Sequence, residues 1–165
     1  MFTSIALATL IAQMPAATPP EAKQFDFWIG TWEAESVTTG PDGKQTIQKG
    51  TNTIRKIMDG KVIHESFVMG SFKGESWSVY NPKAKRWQQT WVDNSAGYIP
   101  LTGTWDDSGK QMVLHTLTNP NHPDALNRMT FKNITKNGFD WDWEASQDGG
   151  KTYQMSWHLK YTRKK

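Results

Sequence analysis

Glu65 is the polar residue whose sequence surroundings most strongly indicate a function. It lies in a stretch of alternating side chains, residues 62–69, in which Ile63, Phe67 and Met69 occupy neighbouring positions on one face. Alternate side chains of a strand point to the same side of a sheet, so this carboxyl group would be surrounded by apolar side chains. Because burying a charge without a partner is costly, we expect Glu65 to be hydrogen-bonded and to orient a bound molecule.

The other residues with catalytic or metal-binding chemistry form no recognised pattern. His64, His115 and His158 fall on separate predicted strands, and His122 falls in a predicted loop. The sequence has no cysteine, no H-E-x-x-H pair and no G-x-S-x-G nucleophile motif, which argues against the common zinc sites and against serine or thiol catalysis. We therefore predict no catalytic residue, no metal ligand and no enzymatic activity.

The elements that carry these residues are predicted to be β-strands. From residue 25 onward apolar and polar residues alternate with a period of two, and a short helical segment is plausible only near residues 21–28. About ten candidate strands are separated by turn-forming segments at residues 40–43, 59–60, 81–82, 107–109, 119–123, 137–138 and 148–150. Closure removes the exposed edges of such a sheet, so the predicted fold class is all-β, a single antiparallel, lipocalin-like barrel.

Two hairpins have a register that follows from their turns. A two-residue loop at positions 59–60 pairs Ile57 with Val62 and Ile54 with Glu65. A three-residue loop at positions 148–150 sets Trp143 opposite Met155, and Trp141 opposite Trp157. Both strands of this last hairpin then present an apolar row on the same face.

A third hairpin, around Pro82, is compatible with two registers. A four-residue loop groups Tyr80 with Trp87, whereas matching Trp77 to Trp91 requires a loop of odd length. A one-residue slip exchanges the two faces of a strand. The sequence therefore leaves open which of these tryptophans points inward.

The composition is that of a globular protein without a nucleic-acid-binding surface. The 165 residues are 36% hydrophobic and 12% aromatic, with nine tryptophans and a net charge of +3. Basic and acidic residues are interspersed, and the one basic cluster, residues 163–165, is a terminal tail. Nucleic acid is therefore not an expected partner. The tryptophans could fill a barrel, line a pocket or stack on sugar rings.

The first residues have the character of an export signal. A short apolar run at residues 5–12 is followed by small residues and prolines up to Pro20. This run is too short to span a membrane, and no later stretch is longer. We expect residues 1–22 to be a signal peptide or a disordered leader, residues 23–165 to form the barrel, and the protein to be periplasmic or secreted.

Several short motifs resemble those of a known family. They are Phe27-Trp28-Ile29-Gly30-Thr31-Trp32-Glu33, Trp87 with Trp91-Val92-Asp93, the turn Asp148-Gly149-Gly150-Lys151-Thr152, and the closing Tyr161-Thr162-Arg163. Gly30-Thr31-Trp32 resembles the G-x-W signature of lipocalins and related calycins, and the whole set resembles the bacterial family of secreted, calycin-like barrels numbered 1579 among domains of unknown function. The resemblance covers residues 25–163. It implies the barrel, with a tryptophan across its closed end, and no particular reaction.

A second, more distant resemblance is to nitrobindin-type haem barrels. They share a G-T-W opening and place the haem-ligating histidine on the final strand, where this chain has His158. By alternation, however, His158 lies on the wet face opposite Trp157 and would not reach a haem in the interior. A β-bulge would reverse that conclusion.

The leading functional hypothesis is non-enzymatic binding of a small, mostly apolar molecule, with no cofactor. The predicted ligand-binding residues are Glu65, Phe67, Met129, Phe131, Trp143, Met155 and Trp157. One alternative is a haem protein with His158 as ligand. The other is a structural or interaction module of the cell envelope whose barrel is filled by its own side chains. The sequence leaves the oligomeric state open.

Overall fold

A computed structural model describes residues 18–165 of the protein. Two short 3-10 helices, Pro20–Lys23 and Asp26–Trp28, are followed by ten strands: β1 (Gly30–Thr39), β2 (Gln45–Ile57), β3 (Val62–Met69), β4 (Phe72–Asn81), β5 (Arg86–Asp93), β6 (Tyr98–Asp106), β7 (Gln111–Thr116), β8 (Leu126–Lys132), β9 (Gly138–Ser146) and β10 (Gln154–Arg163). Most of the predicted leader, residues 1–17, lies outside the described residues. No helix within residues 18–165 is long and apolar enough to cross a membrane.

The ten strands form one closed antiparallel barrel. Each strand pairs with its neighbours in the sequence, and β1 also pairs with β10, which closes the sheet. Closure leaves no row of unpaired backbone groups at a sheet edge. The predicted fold class, an all-β barrel of about ten strands with a short N-terminal helical segment, is confirmed.

The β2–β3 hairpin has the predicted register. Ile57 pairs with Val62, and Ile54 pairs with Glu65. Gly60 in the connecting turn has a φ of 78°, a conformation that glycine adopts without a steric penalty. The turn therefore holds the register that brings Glu65 to the inner face of the barrel.

The β4–β5 hairpin adopts the register with the four-residue loop. Tyr80 pairs with Trp87, and Trp91 pairs with Ser76. Trp91 consequently points into the barrel, whereas Trp77 lies on the outer face with 37% of its surface exposed. The structure thus decides the one hairpin that the sequence left open.

The predicted register of the β9–β10 hairpin is wrong. Trp157 pairs with Trp143, and Met155 pairs with Glu144, with a bulge between Met155 and Trp157. A bulge places two residues opposite one and turns the strand, so Met155 faces solvent with 52% of its surface exposed. Met155 therefore does not line the interior, and Trp141 does not face Trp157 across the ladder.

The start and end of the chain meet at one end of the barrel. The guanidinium of Arg163 lies 3.9 Å from the ring centre of the fully buried Trp32. It also donates hydrogen bonds to the carbonyl oxygens of Ile29 (2.8 Å) and Phe27 (3.1 Å). Trp32 in turn donates its indole N–H to the carbonyl of Trp28 at 2.8 Å. These contacts fasten the second 3-10 helix across the barrel end.

Aromatic side chains fill this closed end. The ring of Phe131 lies 5.1 Å from that of Trp28 and 5.3 Å from that of Phe25, and Phe25 also packs against Trp87 at 4.8 Å. Phe131 is only 1% exposed. It is therefore part of the closed-end packing, which corrects the expectation that it lines a ligand site.

Replacing Arg163 is expected to loosen the closed end. Arg163→Ala removes charge-assisted hydrogen bonds and the contact with Trp32, so the free energy of unfolding should fall by about 2–4 kcal/mol. Arg163→Lys should recover part of this loss, because a lysine keeps the charge without the planar fork of donors. Urea denaturation measures both variants. The exposed Arg86→Ala is the matched control, and an equal effect of Arg86→Ala and Arg163→Ala would contradict the assignment.

Candidate ligand-binding cavity

A cavity of about 210 Å³ lies inside the barrel beyond the aromatic closed end. It is lined by Glu65, Phe67, Phe72, Gln89, Trp91, Asp93, Ile99, Leu101, Met129, Trp141, Trp143, Trp157, Leu159 and Tyr161. Phe72 begins β4 and Asp93 ends β5, so the cavity extends toward the barrel end that holds the β3–β4 and β5–β6 connections. The interior is therefore not completely filled by its own side chains.

Most of the predicted ligand-binding residues meet at this cavity, namely Glu65, Phe67, Met129, Trp143 and Trp157. Phe131 lies in the closed end, and Met155 lies on the outside. The structure thus brings together the carboxyl group and the apolar side chains that the strand periodicity placed on one face.

Three of the indole rings in the cavity wall are set in two directions. The rings of Trp141 and Trp143 are nearly parallel, 7° apart in plane and 6.3 Å apart in centre. Trp157 is perpendicular to Trp141, at 86° and 5.6 Å, and Phe67 is perpendicular to Trp157, at 85° and 6.0 Å. Edge-to-face arrangements of this kind are favourable and hold the rings in place.

Two of the indoles are also held by hydrogen bonds. Trp157 donates its indole N–H to the Ser36 hydroxyl at 3.0 Å, and Trp91 donates its indole N–H to the Asp93 carboxylate at 3.0 Å. Gly74 lies beneath Trp91, where a Cβ would come within 2.0 Å of the ring. A glycine is therefore required at this position for Trp91 to lie as it does.

Glu65 is buried at the cavity in a hydrogen-bond network. Asn52 donates its side-chain N–H to one carboxyl oxygen at 2.7 Å, and the Ser76 hydroxyl lies 2.5 Å from the other. Asn52 also donates to the Tyr161 hydroxyl at 3.2 Å. These bonds join strands β2, β3, β4 and β10 and fix the orientation of the Glu65 carboxyl group. That Glu65 is hydrogen-bonded agrees with the sequence prediction.

Burial controls the protonation of this network. Desolvation raises the pKa of Glu65 above its ordinary value of 4.5, and the hydrogen bonds from Ser76 and Asn52 oppose that shift only in part. Desolvation and the nearby Glu65 raise the pKa of Tyr161 well above its ordinary value. Since Ser76 can donate to a carboxylate or accept from a carboxylic acid, the network accommodates either form of Glu65.

Asp93 is a second carboxyl group at the cavity, in a different environment. It accepts hydrogen bonds from the backbone N–H groups of Ser95 (2.9 Å) and Gly97 (3.0 Å) in addition to the indole of Trp91. These bonds, that of Trp91 foremost, lower the pKa of Asp93. Asp93 therefore carries a negative charge at neutral pH.

Several lining residues were not predicted as part of the site. Tyr161 and Leu159 belong to an apolar row that the alternation did reveal, and Trp141 shares a face with Trp143. The alternation alone would have found these three. Asp93 and Gln89 could be placed only once the register of the β4–β5 hairpin was known, because a slip exchanges the faces of a strand.

His158 does not face the cavity. Its ring nitrogen Nδ1 lies 2.6 Å from the carboxylate of Asp142, with which it pairs across β9 and β10. Lys132 contacts the other oxygen of that carboxylate. The bulge precedes Trp157, so His158 stays on the side of the sheet opposite the indole of Trp157.

A family model described as "Protein of unknown function (DUF1579)" matches residues 19–163. The chain belongs to this family. The resemblance to this family that the sequence motifs indicated is thereby confirmed. Comparison with curated proteins finds no match.

Two solved structures are similar to this DUF1579 barrel. The crystal structure of Rv2717c from M. tuberculosis superimposes with a TM-score of 0.59 at 11% identity, covering 89% of this chain and 99% of that one. The S-type phycobiliprotein lyase CPES from Guillardia theta superimposes with a TM-score of 0.56 at 13% identity, covering 90% of this chain and 99% of that one. At these identities the likeness concerns the fold.

Glu65 should give the DUF1579 barrel a distinctive pH dependence. Its pKa is raised in the folded state, so above the unfolded-state value of 4.5 the folded protein retains a proton that the unfolded chain releases. The free energy of unfolding should therefore fall as pH rises from this value through the folded-state pKa. The loss is about 1.4 kcal/mol for each tenfold difference between the acid dissociation constants of the folded and unfolded states.

Glu65→Gln removes this titration. The difference in free energy of unfolding between the Gln variant and the wild type should grow as pH rises, in favour of the variant. Urea denaturation from about pH 4 to about pH 8 provides the comparison. Parallel profiles for the two proteins would show that Glu65 has an ordinary pKa.

Proposed function

We propose that the barrel binds a small, mostly apolar molecule in the cavity, and that Glu65 orients this molecule. The observation that carries the proposal is a cavity walled by four indoles with one buried, hydrogen-bonded carboxyl group among them. Ligand sites in proteins typically combine apolar walls with a few fixed polar groups. The perpendicular packing of the rings supports a preformed site, which lowers the entropic cost of binding.

Catalysis is not part of the proposed function. The residues that line the cavity offer the carboxyl groups of Glu65 and Asp93, the amide of Gln89 and the hydroxyl of Tyr161. Nucleophilic catalysis requires an activated nucleophile beside a base, and this lining set contains no histidine, serine, threonine or cysteine. One of the similar barrels is named as a phycobiliprotein lyase, so a barrel of this shape also occurs in a protein named as a lyase.

The proposal also needs no cofactor. The haem alternative depends on His158 reaching the interior, whereas His158 is hydrogen-bonded to Asp142 on the outer side of the sheet. The alternative of a filled barrel is disfavoured by the cavity itself. Binding of a small molecule is therefore the function that the geometry supports best.

Binding can be measured with the neutral fluorescent probe N-phenyl-1-naphthylamine. We expect its emission to increase and shift to shorter wavelength when it is titrated with the protein, as in transfer to an apolar site. Trp143→Ala should weaken this binding about tenfold, because it removes one wall of the cavity. Glu65→Gln should also weaken it, because the amide replaces one carboxyl oxygen, a possible acceptor for the probe N–H, with an N–H donor.

Trp77→Ala is the matched control, because Trp77 lies on the outer face of β4. Its dissociation constant for the probe should equal that of the wild type. No change in probe emission with the wild type, or equal losses for Trp77→Ala and Trp143→Ala, would refute the proposed site.

We also propose that the protein is exported, on the basis of the apolar run at residues 5–12 and the small residues that follow it. The protein isolated from its own host should then lack an N-terminal segment of about 15–22 residues and be found outside the cytoplasm. Intact-mass measurement of the fractionated protein tests both points. An uncleaved chain in the cytoplasmic fraction would refute export.

A further inference from the structure

The charge that lines the cavity has one sign. Glu65 and Asp93 are its acidic residues, and within the described part of the chain no Lys, Arg or His lines it. This contrasts with the whole protein, whose net charge is +3. The positive groups near these strands lie outside the cavity: Lys132 and His158 contact Asp142, and Arg128 forms an ion pair with Glu144. Lys73 lines a separate neighbouring pocket, to which Asp93 and Glu75 also contribute.

An anionic ligand would be poorly accommodated at such a site. Its charge would leave water for an apolar space, and the lining offers no cation to compensate the lost hydration. It would also lie near Asp93, whose hydrogen bonds from Trp91, Ser95 and Gly97 favour the ionised form. Like charges at short range are repelled most strongly where the surroundings are apolar.

A cationic group, in contrast, meets two favourable features at once. The faces of aromatic rings carry negative potential, and tryptophan binds cations more strongly than the other aromatic residues do. Four indoles line this cavity, and three of them, those of Trp141, Trp143 and Trp157, are set in two perpendicular directions. The Asp93 carboxylate is joined to one of them, Trp91, by a hydrogen bond of 3.0 Å, so the negative charge adjoins the aromatic wall.

We propose that the cavity selects organic cations, in the form of an amine or quaternary ammonium group attached to an apolar body, and rejects anions of the same shape. This inference rests on the proposed function, since it assigns a ligand class to the same cavity. Asp93 and the indoles of Trp91, Trp141, Trp143 and Trp157 provide the selectivity. Glu65 contributes the fixed polar group deeper in the barrel.

Three ligands of closely similar shape test the inference: benzyltrimethylammonium, its uncharged carbon isostere neopentylbenzene, and the anion phenylmethanesulfonate. Each is used to displace N-phenyl-1-naphthylamine from the wild-type protein at neutral pH and low salt. We expect the cation to bind about tenfold more tightly than the uncharged isostere, and the anion to bind at least about tenfold more weakly than that isostere.

Asp93→Asn tests the source of the selectivity. The asparagine keeps an oxygen for the backbone N–H groups of Ser95 and Gly97, but it loses the charge and the acceptor for the Trp91 indole N–H. The affinity for the uncharged isostere therefore serves as the internal reference, because a displaced Trp91 would weaken the binding of both ligands. The ratio of cation to isostere affinity should fall about threefold or more. Asp106→Asn is the matched control, because Asp106 accepts hydrogen bonds from Ser108 and Gln111 in the β6–β7 turn. The ratio of cation affinity to isostere affinity in this variant should equal that of the wild type.

The possible outcomes separate this inference from the proposed function. If the naphthylamine probe binds but the cation is no better than the isostere, or the anion displaces the probe as well as the isostere does, the charge selectivity is refuted and the binding function stands. If the probe itself does not bind, the proposed function fails and this inference fails with it. Should Asp93→Asn not fold, the three-ligand series on the wild type decides alone.

Discussion

The pairing of β1 with β10 is the constraint on which the rest of the structure depends. Once the sheet is closed, every second side chain of each strand must occupy the same limited interior. Ala34, at the level where β1 pairs with Tyr161 of β10, is fully buried and small. The network from Glu65 through Asn52 therefore reaches Tyr161 across β1, and the seam of the barrel is joined from inside as well as by its backbone.

This network divides the interior into two parts with different tasks. On one side Trp28, Trp32 and Trp87, each at most 2% exposed, pack with phenylalanines into a closed end. On the other side Trp91, Trp141, Trp143 and Trp157 are only partly buried and surround open space. The tryptophans thus have two structural roles: some indoles fill the core at the closed end, and others form the walls of the cavity.

The sequence predicted the features that depend on short-range geometry. Strict alternation and tight turns were sufficient to predict the barrel, the β2–β3 register and the burial of Glu65. Each of these features follows from the two-residue period of a strand and from the geometry of short turns. The position predicted for Met155 is wrong because a bulge in β10 turns it outward. The apolar residues of this strand continue to alternate through the bulge, so the sequence pattern does not reveal it. Phe131 points inward as predicted, but its depth along the barrel depends on helices that pack over the closed end.

The two carboxyl groups at the cavity show why position within a barrel matters more than residue type. Glu65 is deep, and desolvation dominates its hydrogen bonds, so its pKa is raised. Asp93 ends a strand beside a turn, where an indole and two backbone N–H groups converge on it, and its pKa is lowered. The Glu65 carboxyl group deep in the barrel therefore holds its proton more tightly than an ordinary glutamic acid does, whereas Asp93 near the strand ends is ionised at neutral pH. The negative charge of Asp93 thus lies at the end of the cavity near the strand ends. At this position the charged group of a ligand can keep partial contact with water.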